Sequence, residues 1–134
     1  MQDIKEIAAD IPKAMADKES FDCMVEALAS MFEREVFDVA ASPTVNGALL
    51  ADAVVAKVGR GKAVDSKAPA EAGKKYVIIG DALTDGNDAK ALVDKITGAG
   101  SVVIKAGFIR EDRIFNARKA LLKGIPTEAA VVIR

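Results

Sequence analysis

The sequence predicts an α/β fold, a doubly wound, mainly parallel sheet of about five strands flanked by helices. Three observations predict it. Short apolar runs recur at residues 36–41, 76–79, 101–110 and 129–133, and strands buried on both faces read this way. Segments with apolar residues at helical spacing alternate with those runs. The turns between them are short, so right-handed crossovers must join strands that lie side by side.

In order along the chain, Ile4, Ile7, Ala8 and Ile11 make a short amphipathic helix or arm that Pro12 is expected to stop. Ser20 is the expected N-cap of a helix whose apolar face is Phe21, Met24, Val25, Leu28, Met31 and Phe32. Residues 36–41 (VFDVAA) form the first strand, closed by Ser42 and Pro43. Asn46 and Gly47 open a helix through Leu50 and Val54 that ends at Gly59. A short strand is expected at 62–65, and residues 66–75 (SKAPAEAGKK) read as a loop. The strand 76–79 (YVII) empties into the turn GDALTDGND, and a helix carrying Leu92, Val93 and Ile96 follows to Gly98. The strand 101–110 leads to a helix with Ile114, Phe115, Leu121 and Leu122, stopped by Gly124 and Pro126. Residues 129–133 supply the last strand. The division that follows is an N-terminal helical arm, or a reduced hood over the sheet, at 1–19 and an α/β domain at 20–134.

Composition excludes several functions. The chain has 134 residues, 51% hydrophobic and 29% charged, with 19 basic and 20 acidic side chains. That is one domain with enough apolar material for a core, and a net charge of -1 argues against a nucleic-acid partner. There is no histidine, which removes Ser-His-Asp and Cys-His catalysis and histidine-ligated metals. Cys23 is the single cysteine, so no intrachain disulfide is possible and a reducing compartment is expected. No segment approaches the roughly 20 apolar residues of a membrane span, and the acidic N-terminus does not read as a signal peptide. The expectation is a cytoplasmic protein without a membrane partner.

Ligands of open α/β sheets bind outside the carboxyl ends of the strands. The most unusual such segment here runs from Gly80 to Asp88 and ends at a helix N-terminus, whose free amides favour anions. YVIIGDALTDGNDAKAL resembles the phosphoribosyl-pyrophosphate (PRPP) motif of the type I phosphoribosyltransferases. There a buried strand ends in two acids that bind the ribose hydroxyls, and a Thr- and Gly-rich loop wraps the 5′-phosphate. FDVAASPTVNGALLADAVVAKVG is similar to the family's pyrophosphate-holding strand, loop and helix, and VVIKAGFIREDRIFNARKALLKGIPTEAAVVI to its final strand-helix-strand. The resemblance covers about residues 36–133 and implies a site built from Thr44, Asn46, Gly47, Asp81, Ala82, Leu83, Thr84, Asp85, Gly86, Asn87 and Asp88. Lys67 would meet pyrophosphate, and Asp81 would be the catalytic residue and the one candidate metal contact. It also implies a nucleotide-like small-molecule ligand, Mg²⁺ if the chain is active, and a homodimer.

The departures from the family pattern fall in the motif itself. Gly80 replaces the first acid, Asp85 and Asp88 replace threonines, Asn87 replaces a glycine, and the hood and catalytic loop shrink to residues 66–75. A carboxylate about 5 Å from a phosphate charge costs roughly 3 kcal/mol at an effective dielectric near 20, whereas a helix N-terminus returns only about 0.3 to 2 kcal/mol. Weak or absent PRPP binding is therefore expected unless Mg²⁺, Lys62, Lys67, Lys74 or Lys90 compensates. Asp85 and Asp88 also read as a turn residue and an N-cap, or as a site for a cation or an unphosphorylated, hydroxyl-rich ligand.

Other features read as structure. Gly59-Arg60-Gly61 and Gly98-Ala99-Gly100 are helix stops, and Lys74, Lys75 and the stretch 110–118 are solvated surface. Lys105 reads as an edge position, a dimer contact or a strand end. The resulting expectation is a phosphoribosyltransferase-like ligand-binding or regulatory module linked to nucleotide metabolism, with transferase activity lost or altered. The alternative is an active orotate- or purine-type enzyme that joins PRPP and a nucleobase and releases pyrophosphate. A generic flavodoxin- or receiver-like module is a third reading, which Asp81 and Lys105 fit poorly.

Overall fold

The computed structural model describes residues 3–134. Five strands, β1 (Val39–Ala41), β2 (Lys62–Val64), β3 (Lys75–Leu83), β4 (Val102–Asp112) and β5 (Thr127–Ile133), form one sheet in the order β2-β1-β3-β4-β5. Every neighbouring pair is parallel. The predicted α/β class and strand number hold.

Helices cover both faces. Val77 and Ile79 of β3 pack with α3 (Lys18–Phe32) and α4 (Val45–Val58), while Tyr76 and Ile78 pack on the other side with α5 (Asn87–Gly98). The period-two alternation of one strand therefore feeds two cores. The arm, α1 (Ile4–Ala9) and α2 (Ile11–Met15), buries Ile7, Ala8, Ile11 and Ala14 in the first of them.

Several element ends differ from expectation for local reasons. Pro12 does not stop a helix; it opens α2, where its missing N–H costs nothing. The N-cap of α3 is Asp17, whose carboxylate accepts from both the N–H and the hydroxyl of Ser20. β1 is shorter than the apolar run, and Val36 is left exposed. β3 is longer and carries Gly80, Asp81 and Ala82 inside the strand, so the turn after it begins only at Thr84. The expected helix around Ile114 splits into a 3₁₀ turn (Arg113–Phe115) and a short α6 (Ala117–Ala120), separated by Asn116 at φ 55°.

Two charge readings also change. Lys105 lies on the interior strand β4, not on an edge. Its ammonium donates to the Met31 carbonyl near the end of α3, pairs with Glu128 at 3.0 Å and Glu35 at 3.7 Å, and lies 5.5 Å from the centre of the Phe32 ring. A cation at a helix C-terminus is favourable, and Arg60 adds to it by donating to the Glu33 and Glu35 carbonyls at 3.0 and 2.6 Å. Arg110 and Arg118, expected as solvated surface, are both engaged. Arg110 donates to the Ala8 carbonyl at 2.7 Å and to Asp112 at 3.0 Å, fastening the arm to β4. Arg118 forks onto the buried carboxylate of Glu111 at 2.6 and 3.2 Å. No described helix is long and apolar enough to cross a membrane.

Candidate functional site

The strand order places a topological switch between β1 and β3. From β1 the chain crosses to β2 on one side, and from β3 it crosses to β4 on the other. A crevice must open where those connections diverge, at the carboxyl ends of β1 and β3. The residues there are Ser42, Pro43 and Thr44 after β1, and Asp81 through Gly86 at the end of β3.

Thr44 joins the two walls. As N-cap of α4 its hydroxyl oxygen accepts from the Gly47 N–H at 3.0 Å, and the same hydroxyl donates to Asp81 Oδ1 at 3.0 Å. Asp81 Oδ1 also accepts from the Ala82 N–H at 2.8 Å. Gly47 is required by this packing, since a Cβ there would lie 2.0 Å from Ser42 Oγ and 3.1 Å from the Ile79 carbonyl oxygen. Thr44, Gly47 and Asp81, three of the residues expected at the site, thus form one bonded unit. Asn46, half-buried, lies in the first turn of α4 beside them.

The loop after β3 satisfies itself. Asp85 Oδ1 accepts from the Asn87 N–H at 3.0 Å, occupying an amide at the start of α5 that an anion would otherwise seek. The N-cap of α5 is Gly86 at φ 81°, and Asp88 sits inside the first turn instead of at the cap. A Cβ on Gly86 would come within 2.7 Å of Ala117 Cβ, so the loop rests directly on α6. The cleft bounded by Pro43, Thr44, Thr84, Asp85, Asp88 and Phe108 has a volume of about 30 Å³, enough for a single water. Ala82 and Leu83, the remaining expected contacts, also line it.

Phe108 was not visible as a site residue in the sequence. It is the β4 partner of Gly80, and a Cβ on Gly80 would meet its ring at 2.6 and 2.7 Å. The position where the family pattern has its first acid is therefore closed to any side chain while Phe108 stays. The signal that could have found it is an aromatic residue on the strand neighbouring a lone strand glycine.

Lys67 is exposed on the neighbouring loop, where its backbone N–H donates to Asp65 Oδ1 at 2.9 Å. That loop is fastened down. Lys95 donates to the Ser66 and Ala68 carbonyls at 2.9 and 2.5 Å, the Tyr76 hydroxyl accepts from the Glu71 N–H at 2.9 Å, and Lys62 pairs with Glu71 at 2.6 Å. Lys62 and Lys90, two of the four lysines available to offset acid at the crevice, are held by Glu71 and Asp94.

Among the described residues no group of three or more His, Cys, Asp or Glu is arranged to hold a metal. Asp81, the expected metal contact, receives both of its hydrogen bonds on Oδ1. A lone carboxylate in this setting suits a Mg²⁺ carried in on a ligand's phosphates better than a resident ion.

No protein-family model and no curated protein matches the chain. Solved structures do. The adenine phosphoribosyltransferase of Thermoanaerobacter pseudethanolicus superposes with a TM-score of 0.81 at 24% identity, covering 92% of this chain and 86% of that one. The Giardia lamblia enzyme complexed with 9-deazaadenine gives 0.79 at 12%, covering 93% and 86%. Mycobacterium tuberculosis orotate phosphoribosyltransferase in complex with PRPP gives 0.74 at 16%, covering 92% and 80%. The fold of this chain is that of the adenine and orotate phosphoribosyltransferases.

Proposed function

We propose that this chain, which has the phosphoribosyltransferase fold, is a cytoplasmic homodimeric module that binds a nucleotide-like small molecule and has lost, or altered, transferase chemistry. The observation that carries the reading is the loop after β3. Where the family pattern has hydroxyls and free amides for a phosphate, this chain has Asp85 and Asp88, and the Asp85 carboxylate already takes the Asn87 N–H. Two carboxylates facing a phosphate at about 5 Å oppose it by roughly 3 kcal/mol each, more than a helix N-terminus returns. Phe108 against Gly80 supports the same reading, because it leaves Asp81 without an acidic partner for a ribose. Asp81, bonded to Thr44, is the residue best placed to accept a ligand hydroxyl.

A second reading, an active orotate- or purine-type transferase, has one observation in its favour. Asp81 and Thr44 meet at the switch point, where the fold places its ligands. In that case PRPP would bring Mg²⁺ with it, Asp81 would hold the ribose, and Lys67 would approach pyrophosphate. Thermal unfolding with PRPP at millimolar concentration, with and without Mg²⁺, separates the two. A ligand bound only by the folded chain must raise its melting temperature. An unchanged melting temperature is expected, and a saturable rise would overturn the degenerate-site reading and supply the first step of the other.

A further inference from the structure

We propose that Arg118 and Glu111 are positioning residues of the crevice, given that the loop after β3 is the one that meets a ligand. Their fork holds α6 as a backstop behind that loop, and the backstop sets how far the cleft can open. The strand order supplies the geometry. β3 lies between β1 and β4, so the loop at 84–86 stands between Thr44, which follows β1, and the turn and helix that follow β4. On the Thr44 side lies the cleft of about 30 Å³. On the α6 side a Cβ on Gly86 would meet Ala117 Cβ at 2.7 Å and Leu121 Cδ1 at 3.3 Å. A ligand larger than a single water must therefore push the loop away from Pro43 and Thr44, toward α6.

α6 does not hold that place by itself. It has four residues, follows Asn116 at φ 55° and has no side-chain cap, and a helix this short is unstable without tertiary support. Two supports are present. Ala117 and Leu122 pack in one cluster with Leu83 and Phe108, and Arg118 donates to both oxygens of Glu111 at 2.6 and 3.2 Å. Glu111 is the register partner of Leu83, the last residue of β3, so the fork ties α6 to the strand end from which the loop departs. The two parallel bonds fix the guanidinium in orientation as well as distance. The Glu111 carboxylate is 3% exposed, and letting Arg118 go would leave that buried charge unpaired. The pair therefore keeps α6 down, and it acts on a ligand through the loop, not by touching it.

The test reads amide hydrogen exchange in the full chain without ligand. The reporters are the Asn87 N–H, bonded to Asp85, and the Lys90 N–H, bonded to the Gly86 carbonyl at 2.9 Å. Val77 and Ile78, fully buried in β3, report global opening. Arg118→Met is expected to speed exchange at the reporters by about tenfold or more relative to Val77 and Ile78, the size that loss of a charge-assisted bond implies. Lys105→Met, which removes bonds from the other end of β4, is expected to leave that ratio unchanged. Should Arg118→Met not fold, Arg118→Lys keeps a cation for Glu111 but loses the fork. Ala117→Gly keeps the pair but removes the contact behind Gly86, and both variants are expected to raise the same ratio. No rise in Arg118→Met, or in Arg118→Lys where the methionine variant does not fold, would overturn the fork. No rise in Ala117→Gly would overturn the backstop, and an equal rise in Lys105→Met would overturn both. The PRPP titration above tests the ligand loop separately, and its failure leaves the exchange result standing.

Discussion

Thr44 Oγ1 and Asp81 Oδ1 lie 3.0 Å apart, with the threonine donating, and this bond ties the N-cap of α4 to the end of β3. Because the same hydroxyl accepts from the Gly47 N–H, one side chain serves the helix and the crevice together. Replacing Thr44 with valine keeps the shape and removes both bonds. A lost cap costs about 0.5 to 2 kcal/mol, and Asp81 loses its side-chain donor. Urea unfolding should register that loss for Thr44→Val, and Thr44→Ser, which keeps the hydroxyl, should recover most of it. Equal stability of all three proteins would mean that the bond does not hold the crevice.

Gly80→Asp restores the first acid of the family pattern and is expected to fail on packing. The new Cβ would sit 2.6 Å from the Phe108 ring, which is fully buried. Overpacking of this kind costs about 1 to 3 kcal/mol. Phe108→Ala alone removes a core aromatic at about 3 to 5 kcal/mol. The pair should therefore be non-additive, with the double variant more stable than the sum of the two losses predicts. Urea midpoints of the four proteins measure the coupling, and strict additivity would show that the two positions do not compete for one space.

The fold was largely legible because its signals are local and repeated. The apolar run at 76–79 alternates faces once it is in a parallel sheet, and Gly59 at φ 81° ends α4 where a glycine was expected to stop it. What escaped the sequence depends on residues far apart in the chain. Phe108 opposite Gly80, Arg110 on the Ala8 carbonyl and Arg118 on Glu111 exist only after the strands are in register. That Thr44 and Asp81 lie at the ends of neighbouring strands could be read from the sequence, but the bond between them could not. Between Thr44 and Asp81 the chain runs through α4, β2 and most of β3, and Asp85 consuming an amide of its own loop is a matter of turn geometry. The split helix after β4 was missed because Ile114 and Phe115 have helical spacing to Leu121 and Leu122, while Asn116 takes a left-handed conformation between them.

Lys105 should contribute through its polar bonds and, separately, through its aliphatic stem. Lys105→Ala strips a donor from the Met31 carbonyl and a partner from Glu128 and Glu35. Hydrogen bonds to charged groups contribute about 1.5 to 3 kcal/mol, and a loss in that range is expected by urea unfolding. Lys105→Met keeps the aliphatic contact with Phe32, so it should cost less than Lys105→Ala. If the two were equally destabilised, packing would contribute nothing to the role of this residue.

The clasp on the loop after β2 should open with acid and with alkali. The hydrogen bond that Lys62 donates holds the Glu71 carboxyl below the ordinary glutamate range, and accepting it, the Glu71 carboxylate raises the Lys62 ammonium above the usual lysine range. A depressed carboxyl gives stability that is present above its unfolded pKa and is lost as pH falls through the lower folded value. A raised ammonium gives stability that is present below its unfolded pKa and is lost as pH rises through the higher folded value. Both groups are solvent-exposed, so the readout is local: protease cleavage within 66–74 should increase at either extreme. Glu71→Gln should show the open behaviour at neutral pH, and an unchanged cleavage rate in that variant would remove the clasp from the account.

Asp85 and Asp88 should be the residues that keep phosphate out. Asp85 presents a carboxylate to the Asn87 amide, and Asp88 adds a second charge in the first turn of α5. Changing both to threonine removes two negative charges, returns two hydroxyls and frees the amide. At about 3 kcal/mol for each charge pair near 5 Å, even a fraction of that relief amounts to at least about tenfold in affinity, since roughly 1.4 kcal/mol is a factor of ten. The double variant should therefore bind inorganic phosphate measurably by calorimetry at low salt, where the wild-type chain gives no heat. The effect should shrink as salt is added. Asparagine at both positions separates charge from hydroxyl bonding: if it recovers as much binding as threonine, repulsion alone excludes the anion. If neither variant binds phosphate, the roughly 30 Å³ cleft is closed by packing of the loop on Ala117, and the acids are a consequence of that closure, not its cause.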